Sequence, residues 1–121
     1  MTGGQLGPTS LMGQKTATSP MGRNKDYYGY PIKIAEQIAL CDGTAYSARV
    51  SLDSIPNINK AKKAIQKAFE VQQQGLGFGF VEILSSCPTN WKMTPEQAHE
   101  RVRNEMMPVY PLGVFKDITQ K

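Results

Sequence analysis

Residues 45–84 constrain this chain more than any other stretch, because they read as strand, helix and strand in immediate succession. From Ala45 to Leu52, Tyr46, Ala48, Val50 and Leu52 alternate with Ser47, Arg49 and Ser51, the period-two pattern of a strand with one buried face. Ser54-Ile55-Pro56-Asn57 is a turn with Asn57 as a candidate N-cap, and a helix follows over 57–74. Its stripe is Ile58, Ala61, Ala64, Ile65, Ala68 and Phe69, with Lys60, Lys63, Lys67 and Glu70 lying elsewhere and Gly75 as the stop. Residues 78–84, Phe-Gly-Phe-Val-Glu-Ile-Leu, are almost continuously apolar, as in a strand covered on both faces. Such a succession is a βαβ crossover, whose two strands run parallel. The expected class is α/β.

The flanks fit that frame. Pro31 opens a helix over 32–41 with Ile34, Ala35, Ile38 and Ala39 on one face and Asp42-Gly43 as its stop. A last helix starts at Thr94, which forms a capping box with Gln97; Pro95 takes the first turn, Ala98, Val102 and Met106 make the stripe, and Pro108 closes it. Residues 109–121 are an apolar coda with a polar end. The first thirty residues differ in kind: rich in Gly, Thr and Pro, they carry only Lys15, Arg23, Lys25 and Asp26 as charges. They also hold Leu6, Leu11, Tyr27, Tyr28 and Tyr30, which a solvated tail seldom does. The expected organisation is therefore a long irregular wrapping segment over 1–30, ordered in the company of a partner, followed by an α/β domain over 31–121.

Charge and cysteine content exclude more than they identify. A net charge of +4 permits an acidic partner without requiring one. Two cysteines without a CxxC pair make neither a disulfide framework nor a self-sufficient metal site, which suits a reducing cytoplasm. No apolar run approaches the length of a membrane span, so no membrane partner is expected. Gly75-x-Gly77-x-Gly79 precedes its strand, whereas phosphate loops follow one; it reads as a helix stop. Lys60, Lys62, Lys63 and Lys67 have no interleaved aromatic residues, so a solvated helix face is expected and no nucleic-acid partner. His99 has no second ligand at metal spacing. Cys41, at the end of an amphipathic helix, reads as a small buried hydrophobe. Cys87 differs, because it follows the carboxyl end of the second strand, the edge where open parallel sheets place ligands. A thiolate there can ligate metal, but one cysteine cannot hold a cluster that takes four. Met1-Thr2-Gly3-Gly4-Gln5 is either a flexible terminus or a site loop whose glycines let backbone approach a ligand.

Several segments carry a family resemblance in unbroken order. They are Met-Thr-Gly-Gly-Gln-Leu-Gly-Pro-Thr (1–9), Gly-Gln-Lys-Thr-Ala-Thr-Ser-Pro (13–20), Ala-Arg-Val-Ser-Leu (48–52), Lys-Ala-Lys-Lys-Ala-Ile (60–65), Cys-Pro-Thr-Asn-Trp (87–91) and Tyr-Pro-Leu-Gly-Val-Phe-Lys-Asp (110–117). Together they resemble the carboxyl-terminal half of the thiamine diphosphate-binding beta subunit of 2-oxoacid:ferredoxin oxidoreductases, most closely the 2-oxoglutarate and branched-chain types. The resemblance implies part of a thiamine diphosphate-binding fold with a parallel sheet and flanking helices. It places Met1, Thr2, Gly3, Gly4 and Gln5 against the cofactor, with Gly3 where some relatives carry a lysine that reaches the substrate carboxylate. It makes Cys87 a ligand of the iron–sulfur (4Fe-4S) cluster nearest the thiamine. The implied enzyme oxidatively decarboxylates a 2-oxoacid, passes the electrons to ferredoxin and gives the acyl group to coenzyme A. The Mg2+ ligands of the family motif and the partner cysteines would lie ahead of residue 1. The expectation is thus a truncated, cloned or split piece, inactive alone, whose partners are the missing amino-terminal half, other subunits and ferredoxin. The rival is a small non-catalytic α/β interaction module that orders residues 1–30 on a partner.

Overall fold

A computed structural model describes residues 3–120, which form two compact units. One comprises residues 33–84 and 110–120. It contains α2 (Ile34–Ala39), β1 (Thr44–Ser51), α3 (Ile55–Gln73), β2 (Phe78–Leu84) and β3 (Gly113–Asp117); α1 lies in the other unit. The sheet order is β2-β1-β3. β1 and β2 are parallel, with Val50 opposite Ile83 and Ser51 opposite Leu84, as the βαβ reading requires. The apolar coda supplies β3, which runs antiparallel to β1 with Ala48 opposite Val114. The sheet is therefore mixed rather than wholly parallel.

Two burial expectations reverse. Every residue of β1 is buried, including the polar set that the alternation assigned to solvent. That face is covered and its polar groups are paired. Ser47 Oγ donates to Ala35 O at 2.7 Å, and Ser51 Oγ bonds Asp53 Oδ1. The Arg49 side chain is fully buried, with Nη1 and Nη2 on the Glu36 carboxylate and Nε on Glu82 Oε2 at 2.9 Å. Nη1 also donates to Pro111 O at 3.1 Å, and the guanidinium lies over the rings of Tyr110 and Phe115. A buried cation is tolerated only when paired and hydrogen-bonded in this way. β2 shows the converse. Only Leu84 is buried, and Phe78 and Ile83 are exposed, because β2 has a single strand neighbour among the described residues.

The core of this unit is Tyr46, Ala48 and Val50 against Ala61, Ala64 and Val71 of α3, with Ala68 and Val81 beside them. Small residues let helix and strand approach closely. A Cβ on Gly79 would sit 2.6 Å from Ala68 O, so that position admits glycine alone without movement. The buried helix face is narrower than predicted: Ile65 and Phe69 are exposed and Val71 is buried instead. α3 also begins earlier, after Ser54 with Pro56 in its first turn, while the Asn57 amide goes to Asp53 Oδ1 at 2.8 Å instead of capping.

The other unit joins residues 3–32 with 85–109. Here α1 (Lys25–Tyr28) is capped by Asn24, whose Oδ1 accepts from Asp26 N, a turn that apolar periodicity does not reveal. α4 (Pro88–Trp91) and α5 (Pro95–Arg101) follow the second strand, and α5 has the predicted Thr94–Gln97 capping box. It continues through a π-helical stretch, Val102–Met106, into α6 (Met107–Val109), so Pro108 lies within the final turn rather than closing the helix ahead of it. Ala98, Val102 and Met106 are buried as the stripe requires.

Residues 3–24 contain no helix and only an isolated Thr16–Ser19 bridge, yet they are tied in place. Arg23 does most of this. It is buried, and its guanidinium donates to six backbone carbonyls: Gly7, Pro8 and Ser10 on one side of the sequence, Tyr28, Gly29 and Tyr30 on the other. Its own backbone exchanges hydrogen bonds with Gly13 and Gln14 at 3.0 Å. A segment without secondary structure thus satisfies its carbonyls on one cation.

Candidate functional site

Cys87 occupies the N-cap position of α4, with Pro88 in the first turn where the missing N–H costs nothing. The turn closes at Lys92, which adopts a left-handed conformation (φ 55°) while Met93 N donates to Pro88 O at 3.1 Å. This compact loop holds Asn90 back over Cys87, and Asn90 Nδ2 donates to Sγ at 3.6 Å. Trp91 takes the Arg101 guanidinium over its ring at 4.8 Å, and Arg101 Nε pairs with Glu105 at 3.2 Å.

Gly3 is packed against the same loop. A Cβ there would lie 2.6 Å from Asn90 Cβ, 2.7 Å from Trp91 Cδ1 and 2.8 Å from the Asn90 carbonyl carbon, so only glycine fits this approach. A Cβ on Gly4 would meet the Asn90 amide at an ordinary 3.5 Å. The loop is anchored further on: Ala17 N donates to Gly3 O at 3.3 Å, and Leu6 N to Thr18 Oγ1 at 2.9 Å. The Gly3 backbone N–H is directed at Cys87 Sγ. That donor, with the Asn90 side chain second, holds the thiol below its ordinary pKa, because both stabilise the thiolate. Cys87 is half-buried. A cysteine with donors aimed at sulfur and partial access is suited to metal ligation or redox chemistry.

Of the candidate residues, the structure therefore brings Gly3 and Gly4 beside Cys87, while Gln5 is on the same loop and exposed. Met1 and Thr2 lie outside the described residues. Asn90, Trp91 and Arg101 were not foreseen as part of the site; Asn90 lies three residues beyond Cys87, the spacing that lets one helical turn return a side chain to its N-cap. Cys41 is exposed instead of buried, with Sγ 3.8 Å from Gln37 O. Among the described residues, no group of three or more His, Cys, Asp or Glu side chains could hold a metal ion.

The ketoisovalerate oxidoreductase subunit VorA of Methanothermobacter marburgensis is 42% identical to this chain over 117 residues, which is 97% of the chain and 24% of that protein. The chain is a homologue of 2-oxoacid oxidoreductase subunits. The 2-oxoglutarate synthase subunit KorB of Archaeoglobus fulgidus is 32% identical over 96% of the chain and 43% of its own length. The KorB of Methanocaldococcus jannaschii is 34% identical over 74% of the chain and 28% of its length. The chain thus spans about a quarter to under half of these relatives. No protein-family model and no solved structure matches it. Among the described residues, no helix is long and apolar enough to cross a membrane.

Proposed function

We propose that this chain supplies part of the thiamine diphosphate-binding beta subunit of a cytoplasmic 2-oxoacid:ferredoxin oxidoreductase, acting on a branched-chain 2-oxoacid or 2-oxoglutarate, and is inactive without the rest of that subunit. The relatives' names support a 2-oxoacid substrate, and their status as subunits supports partner chains. One observation carries the site reading: the Gly-rich loop and Cys87, more than eighty residues apart, meet through the Gly3 N–H and the Gly3 packing on Asn90 and Trp91. A cofactor wall and a cluster ligand have to be neighbours for electrons to pass between the two groups.

The residues present fit one corner of a cluster. Cys87 supplies a thiol already biased toward thiolate, and the Gly3 and Asn90 donors would remain as hydrogen bonds to the ligating sulfur, which tune a cluster's potential. Gly3, Gly4 and Gln5 would line the thiamine with backbone, and Met1 and Thr2 are proposed to complete that wall. When bound, thiamine diphosphate with Mg2+ would supply the decarboxylation chemistry and a cluster the electron-transfer chemistry, while the residues of this chain would contribute orientation and electrostatics. The Trp91–Arg101–Glu105 stack braces the loop from behind, so its role is positional.

The test is reconstitution. Joined to the remaining length of a KorB-type subunit, the chain should bind thiamine diphosphate with Mg2+ and assemble a cluster that depends on Cys87. A folded, joined subunit that binds neither would overturn the reading.

A further inference from the structure

A second feature lies in the other unit, where α3 meets the sheet. α3 packs on β1, β3 is the strand beside β1, and residues of all three line a cleft of about 470 Å³. Its apolar lining is Ala48 and Val50 of β1, Ala64 of α3 and Val114 of β3, and Val114 is 54% exposed. Lys60, Lys63 and Lys67 line the α3 wall. Among the residues lining the cleft, Asp117 is the one carboxylate, and its Oδ1 is already engaged by Thr119 N and Oγ1. Arg49 contributes no free charge, since it is buried between Glu36 and Glu82.

The lysine spacing determines what can fill this cleft. Positions 60, 63 and 67 fall on one face of α3 and spread over about 10 Å of its axis. No ion pair joins a carboxylate of α3 to them among the described residues, and Asp117 across the cleft attracts Lys67, so Lys60 and Lys63 are the like charges left side by side along an apolar trough. A single phosphate would need cations converging on a point. Nucleic acid would need exposed rings to stack on, and the one aromatic residue of the cleft, Tyr46, is buried. We propose that the cleft docks an acidic amphipathic helix of a partner protein. Its apolar face lies on Val114 and Val50, and its carboxylates at three- and four-residue spacing meet the lysine row. The lysine run thus has a binding role beyond that of a solvated face.

The test is fluorescence anisotropy on the whole chain with three labelled probes. One is a helical peptide with leucines at i, i+3, i+4 and i+7 flanked by glutamates, one a scramble of the same composition, and one an oligothymidylate. The helical peptide should bind saturably, the scramble about tenfold or more weaker, and Lys60→Glu/Lys63→Glu/Lys67→Glu should lose about tenfold or more. Val114→Asp should weaken binding without touching the lysines. Lys60 and Lys63 are exposed and Lys67 is half-buried near Asp117, so a circular dichroism melt checks the fold of each variant; if the triple Glu variant misfolds, the triple Gln variant serves. Equal binding of helix and scramble, tighter binding of the oligothymidylate, indifference to the substitutions, or no peptide binding would each overturn the proposal.

Discussion

Arg23→Met removes the hub of residues 7–30 while keeping most of the side-chain volume. Four of the six guanidinium–carbonyl contacts are 3.1 Å or shorter, to Gly7, Tyr28, Gly29 and Tyr30, and two are 3.3 Å. At about 1 kcal/mol net for each good hydrogen bond, the four short ones set a scale of about 4 kcal/mol. Tyr28, Gly29 and Tyr30 lie at exposed positions, where released carbonyls regain water, which lowers the cost to about 2–4 kcal/mol. Because about 1.4 kcal/mol is a factor of ten, the local opening equilibrium should rise roughly thirty- to several-hundredfold. Hydrogen exchange reads this at the amides of Gly13, whose N–H bonds Arg23 O, and Ile32, whose N–H bonds Pro8 O. Arg23→Lys, which keeps the charge but not the fork, should fall between wild type and Met. Exchange at both amides within about threefold of wild type would refute the reasoning, because a hub that can be deleted at no cost is not one.

Glu36 should make the sheet unit acid-sensitive. Arg49's hydrogen bonds hold its carboxyl below the ordinary 4.5, so the stability it adds is full above that value and is lost as pH falls through the lower, folded-state pKa. Urea midpoints measured from neutral pH downward should fall in acid, and Glu36→Gln should flatten that fall and cost about 1–3 kcal/mol at neutral pH; identical slopes in the two proteins would contradict this. Cys87 should react with iodoacetamide at lower pH than an ordinary thiol, and Asn90→Leu should move the midpoint up by removing a donor to sulfur. An unmoved midpoint would remove Asn90 from the account. Gly3→Ala should raise the same midpoint, because a Cβ 2.6 Å from Asn90 Cβ must push the loop and its N–H away from Cys87. A profile matching wild type would show that the loop tolerates a side chain.

The βαβ unit was legible because its information is local: apolar period, proline and glycine stops, and a short loop on each side. β2 runs over the predicted residues, Phe78–Leu84. β3 was not legible, since the apolar stretch that leads into it is broken by Pro111 and Gly113, and Gly113–Asp117 pairs with a strand more than sixty residues away. The burial of β1's polar face was hidden for the same reason. Arg49 looks solvent-bound until Glu36 from α2 and Glu82 from β2 are placed on it. Arg23 looked like one of a few isolated charges, and nothing in its neighbours' identities announces six carbonyl acceptors. At the site, the strand-end position of Cys87 could be read from the sequence, but its meeting with Gly3 is a long-range packing fact.

The central claim is that Cys87, backed by the Gly3 loop, ligates a cluster. The most direct measurement is iron and sulfide content, with the reduced-state paramagnetic spectrum, for Cys87→Ala and Cys41→Ala in a reconstituted full-length subunit. The account predicts loss of the cluster nearest the thiamine in Cys87→Ala and an intact one in Cys41→Ala, whose thiol is exposed and lies against Gln37 O of α2. Full occupancy in Cys87→Ala, or loss in Cys41→Ala instead, would contradict it.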